Sequence, residues 1–145
     1  MKAATIAIVL TLVGSPALAA SPERVGVFYD NKCHNCHVIR DTGGTLLAGI
    51  DMAHVAKKGP NLYGVVGRPA GTAEDFKYSD LMIAARDAGL VWTEEELSKF
   101  LDDCTQYLRD YTGLKSGNSL MGGFVHDEQT RADLVEFIAN FGPQK

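Results

Sequence analysis

Apolar residues recur along this chain at helical spacing. Val25, Phe28 and Tyr29 stand at i, i+3 and i+4 behind a Ser21-Pro22-Glu23 start. That pattern predicts a helix of about ten residues running directly into Cys33. Residues 41–61 are loop-rich, broken by Gly43-Gly44, Gly49 and Gly59-Pro60, with room for a short helix over Leu46–Val55. Gly64, Gly67, Pro69 and Gly71 keep the next segment irregular. Lys77 to Asp87 reads as a helix ended by Gly89. Thr93 to Glu96 has the shape of a capping box, Thr93 capping and Glu96 reaching back. Leu97, Phe100, Leu101, Cys104 and Leu108 follow as one apolar stripe, so one helix is predicted up to Thr112-Gly113. Residues 112–125 return to glycine-rich loop. A last helix starts between Asp127 and Thr130, buries Leu134, Val135, Phe137, Ile138 and Phe141, and stops at Gly142-Pro143. No strand alternation is visible, and the expectation is an all-α fold.

Before that region comes a different signal. Lys2 precedes an apolar run from Ile6 to Val13, and Ala17-Leu18-Ala19 fits a small-x-small cleavage site. The run is too short to span a bilayer. Residues 1–20 are read as a cleaved secretory signal and 21–145 as one mature domain, placed in the periplasm with no stable membrane insertion. Removing the signal takes away one lysine and no acid, so the formal charge moves from −4 to −5. A net acidic chain argues against nucleic-acid binding, which requires a basic face. The 46% of apolar residues supports a core, though a small one for this length. The three cysteines are too few for a disulfide scaffold.

Two of those cysteines carry the chemistry. Cys33-His34-Asn35-Cys36-His37 is a C-x-x-C-H run, and outside the cytoplasm it reads as a c-type haem attachment site. Two thiols add to the two vinyl groups of one haem, and the adjacent His37 becomes the proximal iron ligand. A thioredoxin-like dithiol would need a βαβ setting, which the pattern lacks. A zinc site would need a second ligand pair, and only Cys104 remains. One haem also accounts for the small core, because its apolar ring system occupies the centre. The sixth ligand is open at this point among Met52, Met82, Met121, His34, His54, His126 and an exchangeable position. Met121 is favoured because it sits in a glycine-rich loop, whereas Met82 lies in a helical stripe and reads as core.

These motifs make the chain resemble a class I cytochrome c, in the cytochrome c2 and mitochondrial-type branch, from about Val25 to Phe141. The resemblance rests on the haem pentapeptide, on Gly59-Pro60-Asn61-Leu62-Tyr63-Gly64 ending in Gly67-Arg68, and on Phe76-Lys77-Tyr78-Ser79. Trp92 and Arg131-Ala132-Asp133-Leu134 complete it. It implies four or five helices and long loops wrapped around one covalent haem. It implies that the Pro60 carbonyl accepts the far ring proton of His37, and that Arg68 neutralises a haem propionate toward which Tyr78 and Trp92 donate. It implies Met121 as axial ligand. The terminal helix would cross the first, with Gly26 permitting close approach and Tyr29 near it. Three positions depart from the family pattern. Leu120-Met121-Gly122-Gly123-Phe124 has no lysine before the methionine and one extra residue before the phenylalanine. Phe100 stands where a tyrosine commonly bonds the methionine sulfur. Cys104 stands where a proline is common, and reads as a small buried hydrophobe.

The function implied is one-electron shuttling without enzymatic turnover. The implied partners are a cytochrome bc1 complex as donor and cytochrome c oxidase or a photosynthetic reaction centre as acceptor. A dedicated cytochrome for one periplasmic dehydrogenase, or a ligand-binding, peroxidase-like haem protein, are the alternatives. Lys32, Lys57, Lys58, Lys77 and Lys115 are candidates for a cationic docking patch, and the runs Glu94–Glu96 and Asp102-Asp103 read as solvated faces.

Overall fold

The computed structural model describes residues 22–49, 58–74 and 76–143. The signal segment, Ser21, Met52, His54 and Lys57 lie outside the described residues. Among the described residues five helices carry the fold: α1 (Pro22–Asp30), α2 (Asp80–Asp87), α3 (Glu94–Asp102), α4 (Cys104–Thr112) and α5 (Glu128–Ala139). A 3-10 turn, Cys33–Asn35, sits between α1 and a small hairpin of β1 (Ile39–Arg40) and β2 (Leu46–Ala48).

The hairpin corrects two expectations. A strand begins at Leu46 where a short helix had room, and a two-stranded sheet exists in a fold expected to have none. The strands pair antiparallel, Ile39 with Ala48 and Arg40 with Leu46, across an irregular step. The Asn61 side chain extends the sheet. Its Oδ1 accepts the Arg40 N–H at 3.0 Å and its Nδ2 donates to the Arg40 carbonyl at 2.7 Å. A side chain here does the work of a third strand, satisfying edge groups that would otherwise need water.

Each later helix starts on a side-chain cap. Ser79, Thr93 and Asp127 each accept a backbone N–H near the helix start. The capping box at Thr93 is only half made. Thr93 Oγ1 accepts the Glu96 N–H at 3.1 Å, but the Glu96 carboxylate turns to Lys99 and Tyr107. The stripe from Leu97 to Leu108 is also not one helix. Asp103 leaves helical geometry and caps α4, its Oδ1 accepting the N–H groups of Thr105 and Gln106 at 3.1 and 2.9 Å. Such a cap stabilises a helix by about 1 kcal/mol.

One core takes in buried residues of all five helices, with α5 against α1 and α3, and α4 against α2 and α3. Phe28, Leu108, Leu134 and Phe137 are fully buried. Burying side chains of this kind contributes about 1.5–3 kcal/mol each. The α1–α5 crossing is made by rings, Phe28 against Phe137 at 5.6 Å between centroids. It does not depend on Gly26, where an added Cβ would meet only Asp30 Oδ2 of the same helix at 3.7 Å. Tyr29 does pack beside this crossing, against Phe28.

Candidate haem-binding site

Lys32, just past α1, lies in the left-handed region at φ 58°, the only non-glycine residue to do so among those described. That conformation costs a side-chain-bearing residue about 1–2 kcal/mol. It turns the chain sharply into Cys33. The Cys36 and His37 N–H groups both close on the Cys33 carbonyl, at 3.1 and 2.9 Å. The turn presents both cysteines, Cys33 half-buried and Cys36 exposed. Burial pushes the Cys33 thiol up to about 11.

His37 follows immediately. Its Nδ1 lies 2.9 Å from the Pro60 carbonyl, which makes Nδ1 the protonated nitrogen. Burial lowers its pKa, so the imidazole is neutral, and the Pro60 contact opposes that shift only in part. Nε2 has no hydrogen-bond partner among the described residues. A neutral imidazole with its far nitrogen fixed by a carbonyl is the form in which histidine ligates a metal. Gly59 makes the seat. A Cβ there would stand 2.6 Å from His37 Cε1 and 2.8 Å from Nδ1, closer than any real Cβ contact. Sequence reasoning found the Gly59-Pro60 pair as a loop signal and missed this role.

Arg68 is half-buried, and burial lowers its pKa against a contribution from nearby Tyr78. Its guanidinium donates to the Asn61 carbonyl at 3.0 Å and the Tyr63 carbonyl at 3.3 Å, and it has no carboxylate partner among the described residues. Tyr78 accepts the Ala73 N–H at 3.3 Å, leaving its own O–H available to donate. Trp92 is tied to the Gly67–Arg68 backbone, its N–H donating to the Arg68 carbonyl at 3.0 Å and its carbonyl accepting from Gly67 at 2.7 Å. Arg68 and Tyr78 thus lie close together, and the backbone of Trp92 is joined to that of Arg68. A partly buried cation beside a tyrosine O–H suits an anionic group.

Met121 is partly buried against the core, as are Cys33 and Tyr78. Its N–H donates to Ser119 Oγ at 3.1 Å. Met82 is a buried core residue. His34 stacks on Tyr29 at 4.8 Å, and His126 is exposed beside Asp102 and Phe124. Phe100 is buried against Trp92. Cys104 is fully buried, as a small hydrophobe would be, but its thiol also donates to the Gly123 carbonyl at 3.2 Å. The thiol pair and the neutral His37, held on one turn, form a donor set that fits the attachment of a haem.

No protein-family model matches the chain. Curated relatives do. A cytochrome c2 from Rhodovulum adriaticum is 44% identical over 111 residues, covering 77% of this chain and 85% of the relative. A cytochrome c-550 from Paracoccus pantotrophus is 38% identical over 115 residues, covering 78% and 81%. Among solved structures, the cytochrome c2 of Rhodobacter sphaeroides superposes with a TM-score of 0.74 at 37% identity, over 85% of this chain and 97% of that one. The ferric cytochrome c-550 of Paracoccus versutus gives 0.73 at 32% identity, over 83% and 96%. Likeness at this identity, across nearly the whole of each relative, joins the donor set to a fold: the chain belongs to the class I cytochromes c, in the bacterial cytochrome c2 branch, an electron-transfer family, and carries one c-type haem attached through Cys33 and Cys36.

Proposed function

We propose that this cytochrome is a periplasmic electron shuttle whose iron is held by His37 and Met121, and that residues 1–20 are the signal that exports it. It takes electrons from a bc1-type complex and delivers them to an oxidase or a photosynthetic reaction centre. The observation that carries the ligand reading is the 2.9 Å contact from His37 Nδ1 to the Pro60 carbonyl, which leaves Nε2 free on a neutral ring. When bound, the haem supplies a one-electron ferric/ferrous couple. Pro60 and Gly59 hold the His37 ring in one orientation in both redox states. The Met121 thioether raises the potential relative to a second histidine. Arg68, with Tyr78 and Trp92, receives a propionate.

The surface supports transient docking. Lys32, Lys58, Lys77 and Lys115 are exposed, and each is free of ion pairs among the described residues. Leu120 is 64% exposed and Phe124 52%, so the loop that carries Met121 offers apolar area beside that charge. Small apolar contacts with steering by charge suit a carrier that must release its partner. No helix among the described residues is long and apolar enough to cross a membrane.

The test compares wild type with Met121→Ala. The ferric wild type should display the near-infrared sulfur-to-iron band. The variant should lose it, bind cyanide readily and fall in midpoint potential. A wild type that lacks the band and binds cyanide tightly would overturn the Met121 assignment. Reduction kinetics with purified bc1 complex check the partner: slow, salt-independent reduction counts against a general shuttle and for a carrier dedicated to one dehydrogenase.

A further inference from the structure

The loop carrying Met121 is held largely from outside, by the helices before it. Thr105 Oγ1 accepts the Ser119 N–H at 3.0 Å, and Ser119 Oγ accepts the Met121 N–H at 3.1 Å. Arg109, one turn along α4, donates to the Gly117 carbonyl at 3.0 Å and to the Asn118 side chain at 3.1 Å. Beyond Met121, the Cys104 thiol donates to the Gly123 carbonyl at 3.2 Å, and the Val125 N–H reaches the Leu101 carbonyl at 2.9 Å. Burial raises the Cys104 thiol to about 12, so it stays protonated and able to donate at neutral pH.

The two glycines between these anchors have room around them. A Cβ at Gly122 would meet nothing within 4 Å, and one at Gly123 only Met121 Cε at 3.9 Å. Neither glycine has a positive φ. Close packing therefore does not require glycine at either position. Two glycines after Met121 give the segment conformational freedom that ordering must overcome. Restraint has to come from the bonds on either side.

We propose that Cys104 is a positioning residue for Met121: its thiol, acting with Thr105 on the same helix, clamps both sides of the ligand loop and resists displacement of the thioether by outside ligands. This rests on the reading of Met121 as an axial ligand. A cysteine that merely filled space would need no acceptor, whereas this one reaches across 19 residues of sequence to the carbonyl just past the ligand.

The test uses the haem-loaded ferric protein. Wild type, Cys104→Ala, Cys104→Ser, Cys104→Val and Thr105→Val are titrated with imidazole, which reaches the iron only when Met121 leaves. The sulfur-to-iron band is followed in parallel. Cys104→Ala should bind imidazole about tenfold more tightly, equivalent to about 1.4 kcal/mol of lost restraint. Cys104→Ser keeps a donor and should stay within about threefold of wild type. Cys104→Val fills the volume without donating and should match Ala; it decides the matter if the Ala variant does not fold. Thr105→Val, which loses the other anchor, should shift in the same direction. Unchanged imidazole affinity in Cys104→Ala or Cys104→Val, whatever the thermal stability, would make Cys104 a packing residue and overturn the proposal. Equal tightening in the Ser and Ala variants would do the same, because it would report lost fit and not a lost donor. Absence of the band from wild type would instead overturn the Met121 reading, which keeps the two failures apart.

Discussion

Gly59 has no side chain because the His37 ring stands where one would be. Gly59→Ala must therefore move His37, and with it the Pro60 carbonyl contact at 2.9 Å. Overpacking of this kind costs about 1–3 kcal/mol. The expected outcome is a protein that still takes up haem but has a lower midpoint potential and a shifted Soret maximum, read by spectroelectrochemistry. A variant with wild-type spectrum and potential would show that the seat is not needed. The difference between these residues also explains what could be read from the chain. Cys33, Cys36 and His37 were legible because covalent attachment demands a fixed local spacing. The role of Gly59 was not, because its reason is a ring that arrives from a distant part of the sequence. The same holds for Asn61, whose strand-like pairing with Arg40 appears only once the loop has folded back.

Between α3 and α4 the chain breaks at Asp103, yet the two helices remain joined by side chains. The Tyr107 hydroxyl donates to the Glu96 carboxylate, and Lys99 adds an ion pair to it at 3.1 Å. These partners, Tyr107 first, hold the Glu96 carboxyl below its ordinary value of 4.5. A depressed acid contributes stability that is fully present above its unfolded pKa and is lost as pH falls through the folded one. Tyr107→Phe should therefore cost about 1 kcal/mol at neutral pH, at the lower end for a bond to a charged group because Glu96 is partly solvated. That difference should shrink below pH 4.5, which urea midpoints measured from pH 3 to 7 will check. The break itself was not legible. Apolar spacing continues through Leu101, Cys104 and Leu108 as if one helix ran on, and periodicity cannot register a single capping aspartate. The hairpin was missed for a related reason: strands as short as Ile39–Arg40 and Leu46–Ala48 give alternation no length in which to be seen. Helices α2 and α5, with separate stripes and clear stops, were placed within a few residues.

At the scale of the whole molecule, partly buried residues border the core. Cys33, Tyr78 and Met121 are among those that pack against the buried cluster, where the proposed haem contacts should lie. A chain with Cys33→Ala and Cys36→Ala cannot make the two thioether bonds. It should retain some helix by far-ultraviolet circular dichroism but lose near-ultraviolet signal and cooperative melting, the behaviour of a compact state without fixed packing. Cooperative unfolding in that double variant would mean the polypeptide closes its core unaided.

The α1–α5 crossing also sets when this protein can fold. Phe28 lies near the start of the described chain and Phe137 near its end, and their rings meet at 5.6 Å. Just beyond α5, the Phe141 carbonyl accepts the Gly64 N–H at 2.7 Å, reaching the segment that follows Pro60. Contacts of such long sequence separation are closed late, after the entropy of the intervening loops has been lost. A chain that emerges amino end first would therefore present α1 well before α5, the helix it packs against. Until α5 emerges, Phe28 lacks the Phe137 ring that it packs against in the folded chain.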